Sequence, residues 1–272
     1  MSKNLCRFCF SDVKYFSTAT VLRYQGEYYK CVNCSSLQIT NAFWLEEAHT
    51  NAISRLDTGL VARCVSAGNM IGTILALEGL RFSRGVDWAG GTGLLTRLLR
   101  DQGFRVFTFD KYAQPLHANG FELTKSEASQ EANFISAIEC IEHLENPIAD
   151  LIEFTSTKDY FFFTVDLISE KTPDPSRNEW WYFLPDSGQH ITFPTAKGLS
   201  FFGDSLGFKY YFRIGSMHVF SRRELKVRTK AFMKFRIIRR LFFVFLPMVL
   251  TKKYSLTSED QKNLIIELQG EN

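Results

Sequence analysis

Val86-Asp87-Trp88-Ala89-Gly90-Gly91-Thr92-Gly93 decides the reading of the chain. Val86 opens a short apolar strand, the glycines let the backbone turn sharply and come close to a ligand, and the helix starting near Thr92 points its first amides at that ligand. Outward from this loop, short apolar segments alternate with helical ones, with strands predicted at 85–89, 105–110, 121–124, 133–138, 160–168, 209–215 and 217–221. The last two flank Gly215-Ser216, a link too short for a crossover helix, so they must pair antiparallel. The predicted fold is therefore α/β, a Rossmann-like seven-stranded sheet with a terminal antiparallel hairpin. Asp110 ends the second strand, 23 residues beyond Asp87, where a carboxylate can accept both hydroxyls of a ribose. Taken alone, this spacing suits any nucleoside or dinucleotide site.

A second pattern stands at the front. Cys6, Cys9, Cys31 and Cys34 form two C-x2-C pairs separated by 21 residues, a spacing that suits a small zinc ribbon with two knuckles converging on one tetrahedral ion. Strands over 18–24 and 27–30, around a turn at Gln25-Gly26, would bring the knuckles together. Four thiolates leave no open position, so the ion would be structural, stabilising a segment too small to bury its own core. Met1 to Cys6 has no apolar run after its positive charge, so a secretory signal is not expected and a cytoplasmic protein is. That compartment keeps thiols reduced, which favours metal ligation over disulfides. Cys64 and Cys140 lie outside the pattern and read as small buried hydrophobes.

The composition, 45% hydrophobic and 22% charged over 272 residues, excludes disordered and collagen-like classes, and a net charge of +3 is too small to argue for nucleic acid. The expected organisation is a zinc-ribbon-like module over 1–42, a helical linker over 43–84, the main domain over 85–222 and a basic, apolar helical extension over 223–272.

The run from Ala132 to Pro147, with Glu139-Cys140-Ile141-Glu142-His143-Leu144-Glu145-Asn146-Pro147, resembles the fourth strand and following loop of class I S-adenosylmethionine-dependent methyltransferases of the small-molecule and sugar type. Asp87 to Gly93 is similar to their first motif, and Trp180-Trp181-Tyr182 with Gln189-His190-Ile191-Thr192-Phe193-Pro194 to their substrate-side loop. The likeness covers about 85–222. The front ribbon resembles the zinc module of some sugar C-methyltransferases. By this resemblance the cofactor is S-adenosylmethionine. Asp87, Ala89, Gly90, Gly91, Gly93 and Glu139 would line its site, Asp110 would take the ribose, and Tyr112 would lie beside the adenine. Ala89 stands where the family usually has its first glycine, and Asn133 replaces a common aspartate.

Methyl transfer from a sulfonium is an in-line displacement, and an oxygen or carbon acceptor must also lose a proton. Among five histidines, His190 is the candidate general base, with Glu142 and His143 as a pair that positions the acceptor. His49, His117 and His218 read as structural or exposed. The aromatic cluster Trp180 to Phe183 would either stack on a sugar ring or close a lid over the core.

The tail gathers cations from Arg222 to Arg240 before the apolar run Leu241 to Leu250, then Lys252-Lys253. That run is about half of the roughly 20 residues needed to cross a bilayer. A basic helix of this kind either packs on the core or lies on an anionic membrane, so peripheral contact at the inner face through 222–253 is the second expectation. The first functional expectation is methylation of a small-molecule or glycan acceptor in polysaccharide biosynthesis. A zinc-ribbon RNA methyltransferase and a non-catalytic binding protein are the alternatives; the ribbon has no basic cluster, which disfavours nucleic acid. The sequence leaves the oligomeric state open.

Overall fold

The structure is a computed structural model that describes residues 5–50, 57–130, 132–169 and 171–270. In chain order its elements are β1 (Val13–Val21), β2 (Tyr24–Cys31), β3 (Leu37–Thr40), α1 (Leu45–Ala48), α2 (Leu60–Glu78), β4 (Arg84–Trp88), α3 (Leu94–Asp101), β5 (Arg105–Phe109), α4 (Lys125–Ala128), β6 (Phe134–Ala137), α5 (Pro147–Thr155), β7 (Tyr160–Thr164), β8 (Thr192–Phe193), α6 (Ala196–Ser205), β9 (Tyr210–Ile214), β10 (Met217–Ser221), α7 (Val227–Lys234), α8 (Arg236–Tyr254) and α9 (Thr257–Gly270). They form two sheets, one of four strands in the order β1-β2-β3-β8 and one of six in the order β5-β4-β6-β7-β10-β9. In the larger sheet β4 pairs parallel with both β5 and β6, while β9 and β10 pair antiparallel as their two-residue link requires.

The sheet has six strands among the described residues, not seven. Residues 121–124 make only a single parallel bridge, Thr108 to Glu122. The physical reason is length: Gly120 turns with φ +84° and Thr124 already caps α4, its hydroxyl accepting from the Glu127 amide. Too few residues remain between them for a strand.

The chain divides into two compact units, one of 1–57, 138–156 and 163–222, the other of 58–137, 157–162 and 223–272. The first holds the cysteine knuckles and the four-stranded sheet. There the turn differs from expectation. β1 and β2 connect through Leu22-Arg23, with Val21 opposite Tyr24, and Gly26 lies inside β2 opposite Ala19. Leu22 takes the left-handed φ of +53°, and a Cβ on Gly26 would stand 2.9 Å from Val21 Cγ2 and 3.3 Å from the Trp44 ring. Gly26 is thus a packing glycine rather than a turn glycine. Arg7 ties the knuckle to this sheet, donating from Nη1 to the Ile191 carbonyl (2.6 Å) and from Nη2 to the Ile39 carbonyl (2.7 Å).

The second unit is built around α2, which packs against α3, α7 and α8. Among the described residues it is the one helix long and apolar enough to cross a membrane, yet 56% of that stretch is buried, as befits a core helix. Its C-terminal Glu78 is buried and accepts from the Tyr160 hydroxyl (3.1 Å), the Lys226 amide (3.0 Å) and the Thr229 hydroxyl. Arg100 forks onto Asp260, docking α9 on α3. The outward side of α8 exposes Ile237, Leu241, Val244, Phe245, Met248 and Val249.

Candidate active site

In the second unit the loop after β4 is held from beneath by Asp87. The side chain is buried; Ser136 of β6 donates to Oδ1 (2.8 Å) and Thr96 of α3 to Oδ2 (3.2 Å). Burial pushes this carboxyl up to about 7, against the two hydroxyl bonds that lower it. Asp87 therefore fixes where the strand ends and the helix begins.

Gly90 sits directly over that brace, where a Cβ would come within 2.3 Å of Thr108 Oγ1. Gly93 caps α3 at φ +76° and would press a Cβ to 2.6 Å from that of Ala118. Ala89 also has positive φ, +54°, a conformation that costs an L-residue roughly 1–2 kcal/mol.

Asp110, directly after β5, closes the loop from above. Its Oδ2 accepts from the Gly91 amide (2.9 Å), its Oδ1 from the amides of Tyr112 (2.7 Å) and Ala113 (2.8 Å). Three of the carboxylate's roughly four acceptor directions are thereby used, leaving one on Oδ2. Tyr112 is 74% exposed. The structure thus gathers Asp87, Ala89, Gly90, Gly91, Gly93 and Asp110 around one turn.

The first unit holds the other group. Glu142 and His143 lie on a 3₁₀ turn (Ile141–His143) after β6, and His190 precedes β8. The rings of His143 and His190 are 5.0 Å apart, those of His143 and His49 5.5 Å. Glu142 is fully buried; the Tyr182 hydroxyl donates to its Oε1 (2.8 Å), and its Oε2 has no hydrogen-bond partner among the described residues. Burial, and then the charge of Glu139, push its carboxyl up to about 8. Burial, and then the neighbouring His190 and His49, hold His143 well below the ordinary histidine range. Glu139 itself has φ +52°, and its amide donates to Thr164 Oγ1 (2.7 Å).

Backbone carbonyls fix the tautomers. His190 Nδ1 stands 2.7 Å from the Tyr182 carbonyl and His49 Nδ1 2.8 Å from that of Leu45, and a carbonyl only accepts, so both nitrogens carry hydrogen. His49 Nε2 then accepts from His143 Nδ1 at 3.2 Å. In the neutral rings, His143 and His190 both keep their lone pairs on Nε2.

Two residues of this cluster were not legible in sequence. His49, read there as structural or exposed, orients His143, and Tyr182 braces both Glu142 and His190. Trp180 to Phe183 is accordingly mixed: Tyr182 and Phe183 are core, and Trp181 is 66% exposed. His218 is structural, bonded to the Tyr211 hydroxyl and the Val165 carbonyl.

The four front cysteines are unpaired thiols whose sulfurs lie within 4.8 Å of one another, Cys6 to Cys34 at 3.5 Å and Cys9 to Cys31 at 3.4 Å. Sulfurs about 2.3 Å from one tetrahedral zinc stand roughly 3.8 Å apart, so the donors fit that ion. The amides of Asn33 and Cys34 both point at Cys31 Sγ, at 3.4 Å each, and offset thiolate charge.

Residues 68–211 match the family model described as the methyltransferase domain, more than half of the chain. The chain belongs to that family, a class of S-adenosylmethionine-dependent enzymes. No curated protein sequence matches it. Among solved structures it is similar to an O-methyltransferase family protein from Burkholderia thailandensis (13% identity, 68% of this chain and 69% of that one, TM-score 0.46). It is similar also to the magnesium protoporphyrin IX methyltransferase of Synechocystis PCC 6803 with bound S-adenosylhomocysteine (13%, 64% and 90%, TM-score 0.44). A third is a methyltransferase of calicheamicin biosynthesis (14%, 58% of this chain, TM-score 0.40), of which the match spans 54% of the length.

Proposed function

We propose that this protein transfers the methyl group of S-adenosylmethionine to a hydroxyl oxygen of a small molecule, with a sugar or glycan of polysaccharide synthesis as the acceptor class. The observation that carries the reading is the bond from the Gly91 amide to Asp110 Oδ2. It joins the glycine loop and the acid after the second strand of the Rossmann-like order into one cradle. In this reading Asp110 takes the ribose through the lone pair left on Oδ2, the loop from Ala89 to Gly93 takes the methionine end, and the exposed Tyr112 covers the adenine.

Activation of the acceptor hydroxyl falls to Glu142, His143 and His190, which position it and favour its ionised form. His190 is the member on which turnover depends most. The exposed Trp181 ring supports a sugar acceptor, since an aromatic face packs on the apolar face of a pyranose. We further assign a structural zinc ion to Cys6, Cys9, Cys31 and Cys34. The exposed apolar side of α8, with Arg236, Arg239, Arg240, Lys252 and Lys253 on the same helix, supports peripheral seating on an anionic membrane. Such seating suits a lipid-linked glycan.

Incubation with methyl-labelled S-adenosylmethionine and pools of nucleotide sugars and glycans, read by mass spectrometry, should show a product heavier by one methyl. If no pool takes label and calorimetry finds no cofactor affinity, the reading fails.

A further inference from the structure

The acceptor-side cluster has an imbalance of donors and acceptors. Glu142 Oε1 receives the Tyr182 hydroxyl, but Oε2 is fully buried and receives nothing. The carbonyls of Tyr182 and Leu45 fix the histidine tautomers so that His143 and His190 keep lone pairs on Nε2. One ligand atom from each of Glu142, His143 and His190 lies within 4.8 Å of the others. Burying the Glu142 carboxylate with one oxygen lacking a hydrogen-bond partner among the described residues is costly. A proton on Glu142 would remove its charge but leave an O–H on Oε2 with no acceptor within hydrogen-bond distance among the described residues.

We propose that Glu142, His143 and His190 bind a divalent transition-metal ion, distinct from the ion assigned to the four cysteines. Donors about 2.1 Å from one tetrahedral ion stand roughly 3.4 Å apart, so three atoms within 4.8 Å of one another need close by at most about 1.4 Å. Two imidazoles and one carboxylate suit Zn2+ or Mn2+ and leave coordination positions open. Glu139 adds a second negative charge nearby, as its effect on Glu142 shows. His49 and Tyr182 hold the ligands in place, each through the ring nitrogen or oxygen that faces away from the ion.

Resting on the methyl-transfer reading, the ion binds the acceptor's hydroxyl oxygen and makes it acidic, as a bound metal does with water. The O–H proton leaves to solvent. The oxygen lone pair then forms the O–CH3 bond while the electron pair of the breaking C–S bond returns to sulfur, giving neutral S-adenosylhomocysteine. His190 is a ligand in this scheme rather than the proton acceptor.

The test is Mn2+ binding by the full chain after chelator treatment, followed by the loss of the free-ion electron paramagnetic resonance signal. Thiolates are poor Mn2+ ligands, so the cysteines do not compete. One Mn2+ per chain is expected for the wild type and for His218→Gln, with binding lost in His190→Ala and in Glu142→Gln, both still melting cooperatively. A wild-type chain that takes up no Mn2+, or variants that take up as much, would overturn the proposal. Cofactor calorimetry on the same samples separates the two ideas: Mn2+ uptake without S-adenosylmethionine affinity sinks methyl transfer and leaves the ion site standing, and the reverse sinks only the ion site.

Discussion

Asp110 and Glu142 both follow the carboxyl ends of parallel strands, β5 and β6, and the chain treats them in opposite ways. Asp110 receives three backbone amides, all from residues within 19 positions of it in sequence. Glu142 receives one phenol from 40 residues away and is left with an orphan oxygen. The first carboxylate is stabilised before any ligand arrives and serves as a fixed edge of a cradle. The second is buried at a cost that the proposed ion would offset. In the proposed reading, donor binding and acceptor activation thus rest on different electrostatic plans, and substitutions on the two sides should fail differently.

The largest expected effect is on the acceptor side. His190→Ala should lower turnover about a hundredfold or more, the usual scale for a lost acid–base or ligand group, with S-adenosylmethionine affinity unchanged by calorimetry. Turnover within a few-fold of wild type would remove His190 from the reaction. Asp110→Ala should do the reverse and weaken cofactor binding about ten- to a hundredfold, the worth of one or two charge-assisted hydrogen bonds, measured as Kd. Equal losses of affinity in both variants would erase the comparison.

The same contrast explains what the sequence disclosed. The donor side is written in one short grammar of strand, glycines, helix and acid, and local backbone geometry suffices to read it. Its one misreading was a strand at 121–124, where Gly120 and the Thr124 cap leave no room. The acceptor cluster is assembled from His49, Glu142-His143, Tyr182 and His190, segments spread over 141 positions. Glu142, His143 and His190 could be nominated by residue type; the orienting His49 and Tyr182 could not. Nothing local to His49 says that it reaches the distant His143 imidazole, and nothing local to Tyr182 says that its phenol reaches the distant Glu142 carboxylate. The front turn was misplaced for a related reason: Gly26 carries a turn residue's identity, but its role is to admit Val21 and Trp44.

A pH titration sharpens the comparison at the loop's base. Asp87 holds its proton up to about 7 when folded and to its ordinary 3.8 when unfolded. Between those values the folded state carries the extra proton, so stability falls as pH rises from about 4 to 7 and levels off above. Denaturant unfolding of wild type and Asp87→Asn across that window should give a difference of a few kcal/mol at most, about 1.4 kcal/mol per unit, vanishing at the acid end. A pH-independent difference would mean that the carboxylate is already charged in the fold.

The smallest effect tests whether the donor loop stores strain. Ala89 occupies φ +54°, where glycine is free and alanine is penalised by roughly 1–2 kcal/mol. Glycine also loses more entropy on folding, by about 0.5–1 kcal/mol, so Ala89→Gly should stabilise the protein by only about 0.5–1 kcal/mol, read as a shift in denaturation midpoint without a change in slope. Asp87 and Asp110 anchor the turn on either side, so cofactor affinity should hold. If affinity falls while stability rises, the strained alanine is positioning the loop backbone for its ligand, and the donor side is less finished than its hydrogen-bonded carboxylates imply.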